Sequence, residues 1–421
     1  MKRNTVSGKS RSKAPAILDG APVFSQKVSL VRPVLPGMDE LASDMKCILS
    51  SGMVTKGRYL RQFEEDIQEH LHVKHAVAVS SCTTGLMLTY KALGLHGDVV
   101  VPSFTFMATV SALVWCGLNP IFADVDGTTT NLDVQSARAA ITPDTTAIVG
   151  VHNFGNPADI RELIDLTQEF HLKLIFDAAH GFGALYQGTP LGPQGSANIF
   201  SSSPTKLLIT GEGGVVATND DDLAAAVRMG REYGNDGSYD SAFAGINARM
   251  AEFNALLGHY SLKRLGAAAR SRNATVELYQ EMLGQIPGIE FQTVRTGNRS
   301  SYKDFSIVVY PEQFGLTRDE LQLALNAENI DTRKYYAPPV HQQRAYKQFF
   351  DHQRGLPVTD WLAANSLSLP IWSFMPDEVV KDICIAIANV FENRDKICQI
   401  LNSSKELQEI NIKPKRTDPA N

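Results

Sequence analysis

Short apolar runs alternate along this chain with longer stretches in which apolar residues recur every three or four positions. The short runs, bounded by turn residues, predict strands over 76–79, 99–101, 121–123, 147–151, 174–176, 198–200 and 215–217. The wider spacing predicts helices over 38–50, 59–70, 84–94, 106–116 and 158–170. Strands this apolar, alternating with amphipathic helices, predict an α/β fold whose mostly parallel sheet is covered on both faces. Past Asn219 the pattern changes. Helices are expected over 220–233 and 249–265, the second carrying Met250, Phe253, Leu257, Tyr260 and Leu265 on one side. From about Ser271 a smaller α+β lobe is expected, with a helix to Leu283, a strand over 305–310, a helix over 317–328 and a last helix over 377–392.

Open α/β sheets bind ligands beyond the carboxyl ends of their strands. Residues 80–84, residues 103–106, His152, Asp177 and Ser201 all fall at or just past such an end. Residues distant in sequence are thereby expected to meet in one crevice. A stiff proline loop over 335–341 is suited to lining a ligand pocket.

Length and composition narrow the classes. A chain of 421 residues, 43% hydrophobic and 20% charged, reads as a globular protein of two lobes. The expected division is a disordered basic arm over 1–27, a large domain over 28–270, a small domain over 271–402 and a disordered polar tail over 403–421. A net charge of -5 with no basic face argues against nucleic acid as a partner. No apolar run approaches membrane-spanning length, so no membrane association is expected. The five scattered cysteines form no CxxC pair, which predicts neither a metal site nor a disulfide framework and suits a reducing, cytoplasmic setting.

The chemistry concentrates in residues 173–219. There an apolar run ends on Asp177, and the segment Ser201-Ser202-Ser203-Pro204-Thr205-Lys206 precedes the glycine turn Gly211-Glu212-Gly213-Gly214. A strand-end carboxylate and a lysine behind a hydroxyl cluster suit pyridoxal phosphate (PLP). That cofactor needs an amine for its aldehyde, a carboxylate for its ring nitrogen and hydroxyls or amides for its phosphate. The segment Ser81-Cys82-Thr83-Thr84-Gly85 leaves a strand and opens a helix, where amides attract phosphate.

These motifs resemble the DegT/DnrJ/EryC1/StrS family of PLP-dependent sugar aminotransferases, whose usual form is DAAH…S-x-H-x-x-K-x-x-x-x-GEGG. The resemblance runs from about Val28 to Asn393 and includes Asn247-Ala248-Arg249-Met250, which is similar to the family's N-x-R-M. It implies a fold-type-I enzyme with a mainly parallel seven-stranded sheet and a smaller C-terminal lobe. It implies Lys206 and Asp177 as catalytic residues, with Thr83, Thr84, Phe106, Asp177, His180, Ser201, Lys206 and Asn247 holding PLP. Asn247 would reach the cofactor of a partner subunit, which implies a homodimer with shared sites. Thr55, Lys56, Tyr335 and His341 would touch the substrate. The chain departs from the pattern at Cys82, where the family has glycine, and at Ser203, where it has histidine.

The activity so implied is amino transfer from L-glutamate to a nucleotide-linked keto sugar, dTDP- or UDP-linked and ketonic at carbon 3 or 4. Related dehydratases replace the lysine with histidine, so Lys206 argues against that chemistry. A cyclitol or small-ketone acceptor, and a regulatory protein that has lost activity, stay open at this point.

Overall fold

The computed structural model describes residues 14–351 and 353–412. Seven strands form the central sheet: β1 His75–Val79, β2 Asp98–Pro102, β3 Asn119–Ala123, β4 Thr145–Val151, β5 Lys173–Asp177, β6 Ala197–Ser201 and β7 Gly214–Thr218. Their spatial order is β1-β7-β6-β5-β4-β2-β3. Only β7 runs antiparallel to its neighbours, β1 and β6. All seven predicted strands are present, each within two residues of its expected ends.

Alternation along each strand splits the core into two layers. Leu174 and Phe176 of β5 enter one apolar cluster with Ala78, Ile148 and Phe200. Ile175 enters the other with Val79, Val101, Val149 and Ile199. The sheet is therefore apolar on both faces, which is why its strands read as unbroken hydrophobic runs.

A second core surrounds a three-stranded antiparallel sheet of Ile289–Phe291, Phe305–Val309 and Ser366–Leu369, backed by the helices Arg318–Ala327 and Asp377–Glu392. One helix, Glu252–Leu283, joins the two cores. Its Ala255, Leu256, Leu265 and Ala269 pack in the first, and its Val276, Tyr279 and Leu283 in the second. The sequence predicts two helices here. The apolar face turns as the helix passes from one core to the other, and Ala267, Ala268 and Ala269 carry it through Gly266.

Both ends differ from expectation. Residues 14–27 lie on the second core instead of hanging free. The Glu328 carboxylate accepts from the Ala16 amide at 2.7 Å and the Val23 amide at 2.8 Å, and Ile17, Leu18, Val23 and Phe24 cover the apolar cluster. At the other end the helix Arg394–Ile412 runs into the stretch read as a loose tail. Residues 1–13 of the basic arm and 413–421 of the tail lie outside the described residues.

Candidate active site

Asp177 ends β5 on the rim where β1, β2, β4 and β6 also end. Its carboxylate is buried, and its hydrogen-bond partners among the described residues are all neutral. Thr109 Oγ1 donates to Oδ2 at 2.7 Å, and the Ala179 amide donates to Oδ1 at 3.0 Å. The Cys82 thiol stands 3.8 Å from Oδ1 and 3.4 Å from the Ile199 carbonyl oxygen. Burial pushes the Asp177 carboxyl above its ordinary range, while Thr109, Ala179 and the nearby charge of Lys206 pull it back. Such a carboxylate is short of a cation.

Beside it, Ser81 caps the helix Cys82–Ala92. Its Oγ accepts from the Thr84 amide at 3.1 Å, and Thr84 Oγ1 accepts from the Ser81 amide at 3.1 Å. The Thr84 hydroxyl is thus occupied in the cap. The Thr83 hydroxyl makes no hydrogen bond among the described residues, so it and the first-turn amides are what this helix offers an anion. Gly214 explains part of the glycine turn. A Cβ there would stand 2.6 Å from the Cys82 nitrogen and 2.8 Å from the Phe200 carbonyl oxygen, so strand and helix start meet only across glycine. Ser201 ends β6, buried, its hydroxyl accepting one long bond of 3.5 Å from the Ser203 amide.

Lys206 follows β6 in a turn closed by its own amide on the Ser203 carbonyl at 3.0 Å. Its side chain is half-buried, and its amine makes no hydrogen bond or ion pair among the described residues. Burial brings its pKa down to about 8. That value includes the Lys303 cation, which acts in the same direction, and Asp304, Cys82 and Asp177, which oppose. His180 Nδ1 is buried without a partner among the described residues. Burial, then the charges of Lys206 and Lys303, hold that ring well below the usual histidine range, so it stays neutral.

The remaining predicted residues fall in three places. Phe106, 51% exposed, lines a cleft of about 440 Å³ together with Tyr335. Thr55, Lys56 and Asn247 are exposed, and Lys56 and Asn247 meet at Glu232. Lys56 Nζ is 2.6 Å and Arg249 Nη1 3.0 Å from its carboxylate, while Asn247 pairs with Glu232 and Thr55 with Ala251 through the backbone. His341 is turned inward at 3% exposure, with Nδ1 2.7 Å from Ser103 Oγ and Nε2 3.1 Å from Asp360. It fastens the proline loop to the end of β2. His152, read as a strand-end residue, packs behind the sheet against Phe176. Its Nδ1 accepts from the Ala158 amide at 3.0 Å, and burial lowers its pKa to about 4.

Sequence reasoning missed two features. Thr109, which fixes Asp177, lies three residues past the strand-end segment 103–106 and has no signal of its own in the sequence. The buried pair Lys303–Asp304, with Nζ 2.8 and 3.0 Å from the two carboxylate oxygens, looks in sequence like an ordinary solvated dipeptide.

The residues present fit PLP. A buried carboxylate lacks a cation, a lysine amine tends toward neutrality, a buried ring nitrogen is unpartnered, and a helix start and Ser201 offer donors. An exposed aromatic stands at the cleft. Comparison with known proteins agrees. Residues 37–388 match the description of the DegT/DnrJ/EryC1/StrS aminotransferase family. The chain is 34% identical over 363 residues to the spore coat polysaccharide biosynthesis protein SpsC of Bacillus subtilis, covering 82% of this chain and 93% of that protein. It is 32% identical over 359 residues to the GDP-perosamine synthase of Vibrio cholerae, covering 82% and 94%. Among solved structures, DesI in the presence of its TDP-sugar product superposes with a TM-score of 0.86 at 34% identity, covering 92% of this chain and 99% of that one. The chain belongs to the DegT/DnrJ/EryC1/StrS aminotransferase family and is a PLP-dependent transaminase of the sugar aminotransferase kind.

Proposed function

We propose that this protein transfers the amino group of L-glutamate to a keto-deoxyhexose carried on a nucleotide, for surface-polysaccharide or glycoside synthesis. The observation that carries the chemistry is the buried Asp177 carboxylate, braced by Thr109 and Ala179 and hydrogen-bonded to no cation, with Lys206, its pKa lowered to about 8, in electrostatic reach. Support for the acceptor comes from relatives whose names carry a TDP-sugar and GDP-perosamine. By the resemblance the carrier here is dTDP or UDP and the ketone lies at carbon 3 or 4.

PLP, when bound, supplies an aldehyde for the amino group and an electron sink for the electrons of a departing proton. In this reading Asp177 holds a proton on the ring nitrogen, since an ionised carboxylate favours an adjacent cation. Thr109 fixes the direction of that carboxylate. Lys206 would be the amine that holds the aldehyde, and the same amine would serve as the proton carrier at the substrate carbon. Ser201, Thr83 and the first-turn amides receive the phosphate, with Thr84 holding the cap in shape. Phe106 would face the ring, and neutral His180 would offer it Nδ1. Thr55, Lys56 and Tyr335 meet the sugar nucleotide, and His341 acts on it by fixing the loop. Asn247, exposed, serves a partner subunit's cofactor in a homodimer. The chain then divides into a large domain over 28–270 and a small one over 271–402, with the helix Glu252–Leu283 spanning the boundary.

The test supplies isotope-labelled L-glutamate and a panel of nucleotide-linked 3- and 4-keto sugars, with keto-cyclitols and small ketones beside them, and mass analysis of the products. Label in an amino sugar is expected from one acceptor, and the same preparation is expected to sediment as a dimer. Label in no sugar, but in a cyclitol or a small ketone, contradicts the acceptor named here.

A further inference from the structure

Lys303 and Asp304 are adjacent in sequence, and both side chains are buried, at 5% and 2% exposure. The Lys303 amine lies 2.8 and 3.0 Å from the two oxygens of Asp304 and 5.8 Å from the centre of the Tyr335 ring. Replacing a buried ion pair by apolar residues is often neutral or stabilising, so stability alone does not account for this one. The segment is also held in place. The Lys303 amide donates to Phe154 at 3.0 Å, Ser301 Oγ donates to the His180 carbonyl at 2.7 Å, and Arg272 Nη1 donates to the carbonyls of Tyr302 and Lys303 at 2.9 Å each.

The charges around the pair do not cancel. Arg272, 2% exposed, has hydrogen bonds only to those carbonyls and to Ser373 Oγ among the described residues, and none to a carboxylate. Asp304 is thus bonded to Lys303 alone among the described residues, and acts on Arg272 only at a distance. Burial brings Arg272 down to about 10, and Asp304 partly restores it. The cation of Lys303 is felt at both Lys206 and His180.

We propose that Lys303, held by Asp304, is the residue that receives the carboxylate of the amino donor. The inference rests on the amino-transfer reading above. An amino acid whose nitrogen reaches the atom bonded to Lys206 carries its α-carboxylate on the neighbouring carbon, so the cation that meets it stands close to Lys206. The diphosphate of a sugar nucleotide lies beyond the sugar ring, farther from that amine. Asp304 has the complementary task. When the uncharged sugar ring occupies the site, it keeps Lys303 paired, so one site accepts an anionic donor and a neutral acceptor in turn.

The test uses PLP-loaded protein and calorimetric titration with glutarate, a dicarboxylate without an amine, and separately with UDP and dTDP. Three variants are compared with the natural chain: Lys303→Gln, Lys303→Arg, and a double variant of Lys303→Met with Asp304→Asn that leaves no lone buried charge. Loss of a charge-assisted bond predicts glutarate binding weakened about tenfold or more in the Gln and double variants. Lys303→Arg is expected to retain most of it, and nucleotide binding is expected to stay within about twofold throughout. Unchanged glutarate binding in the double variant overturns the inference, as does selective loss of nucleotide binding. A natural chain that takes up PLP and transfers no amino group from any amino acid overturns the inference together with the reading beneath it. Normal donor affinity in the double variant, with transfer intact in the natural chain, overturns this inference alone.

Discussion

An amine in water at neutral pH is almost wholly protonated, and a protonated amine does not attack an aldehyde. Lys206 is prepared against this by position, because burial brings its pKa to about 8 with help from the Lys303 cation. The sign follows directly. Below that value the neutral fraction rises about tenfold per pH unit, and above it the fraction is flat. Protein stripped of cofactor and mixed with PLP is therefore expected to capture it faster as pH rises, levelling near pH 8. A rate that climbs until about pH 10.4, the ordinary lysine value, contradicts this account of the site. At this scale the sequence singles out Asp177 before Ala178-Ala179-His180 and Lys206 before the glycine turn as candidates, because their type and neighbours are distinctive. It was silent on Lys303 and Asp304, since nothing in a charged dipeptide says that a tyrosine ring and an arginine will cover it. His341 was legible as a residue of the loop but not as one turned inward, because that depends on Ser103 and Asp360, distant in sequence.

Elements were read well where one face decides them. Each strand of the large sheet is buried on both faces and so declares itself as an apolar run. The helix Glu252–Leu283 was divided in the reading because a periodic pattern assumes one core, and this helix serves two. Its first residue has a second duty. Glu252 is 1% exposed, and its carboxylate accepts from the amides of Gly57, Tyr59 and Leu60 at 2.9 Å each, capping the helix Arg58–Leu71 from a distance of nearly two hundred residues in sequence. A Cβ at Gly57 would meet that carboxylate at 2.6 Å, which is why glycine stands there. Removing the cap leaves three amides without their charged acceptor. Glu252→Ala is expected to lower stability by about 2–3 kcal/mol, read as a shift in the denaturant midpoint at unchanged slope. A midpoint within experimental scatter of the natural chain would show that these bonds do not hold the helix start.

On the scale of the whole molecule, the fold brings the carboxyl ends of six parallel strands to a common rim and sets a second lobe beside it. The second lobe supplies Lys303, Asp304 and the loop that bears Tyr335, while the first supplies Asp177, His180 and Lys206. Two lobes joined by one helix suit a site that must admit two different substrates in turn. Residues 14–27 add to the second lobe by docking through Glu328, a contact no local pattern could announce because its partners lie more than three hundred residues apart. The central claim is that Lys206 carries the cofactor and an amino acid displaces it. The most direct measurement is the absorbance spectrum of the purified protein with PLP, before and after L-glutamate, with Lys206→Ala beside it. The natural chain is expected to show the visible band of lysine-bound cofactor and to lose it to the shorter-wavelength amine form, while Lys206→Ala stays folded and never develops the band. The same band in the alanine variant, or none in the natural chain, would contradict the account.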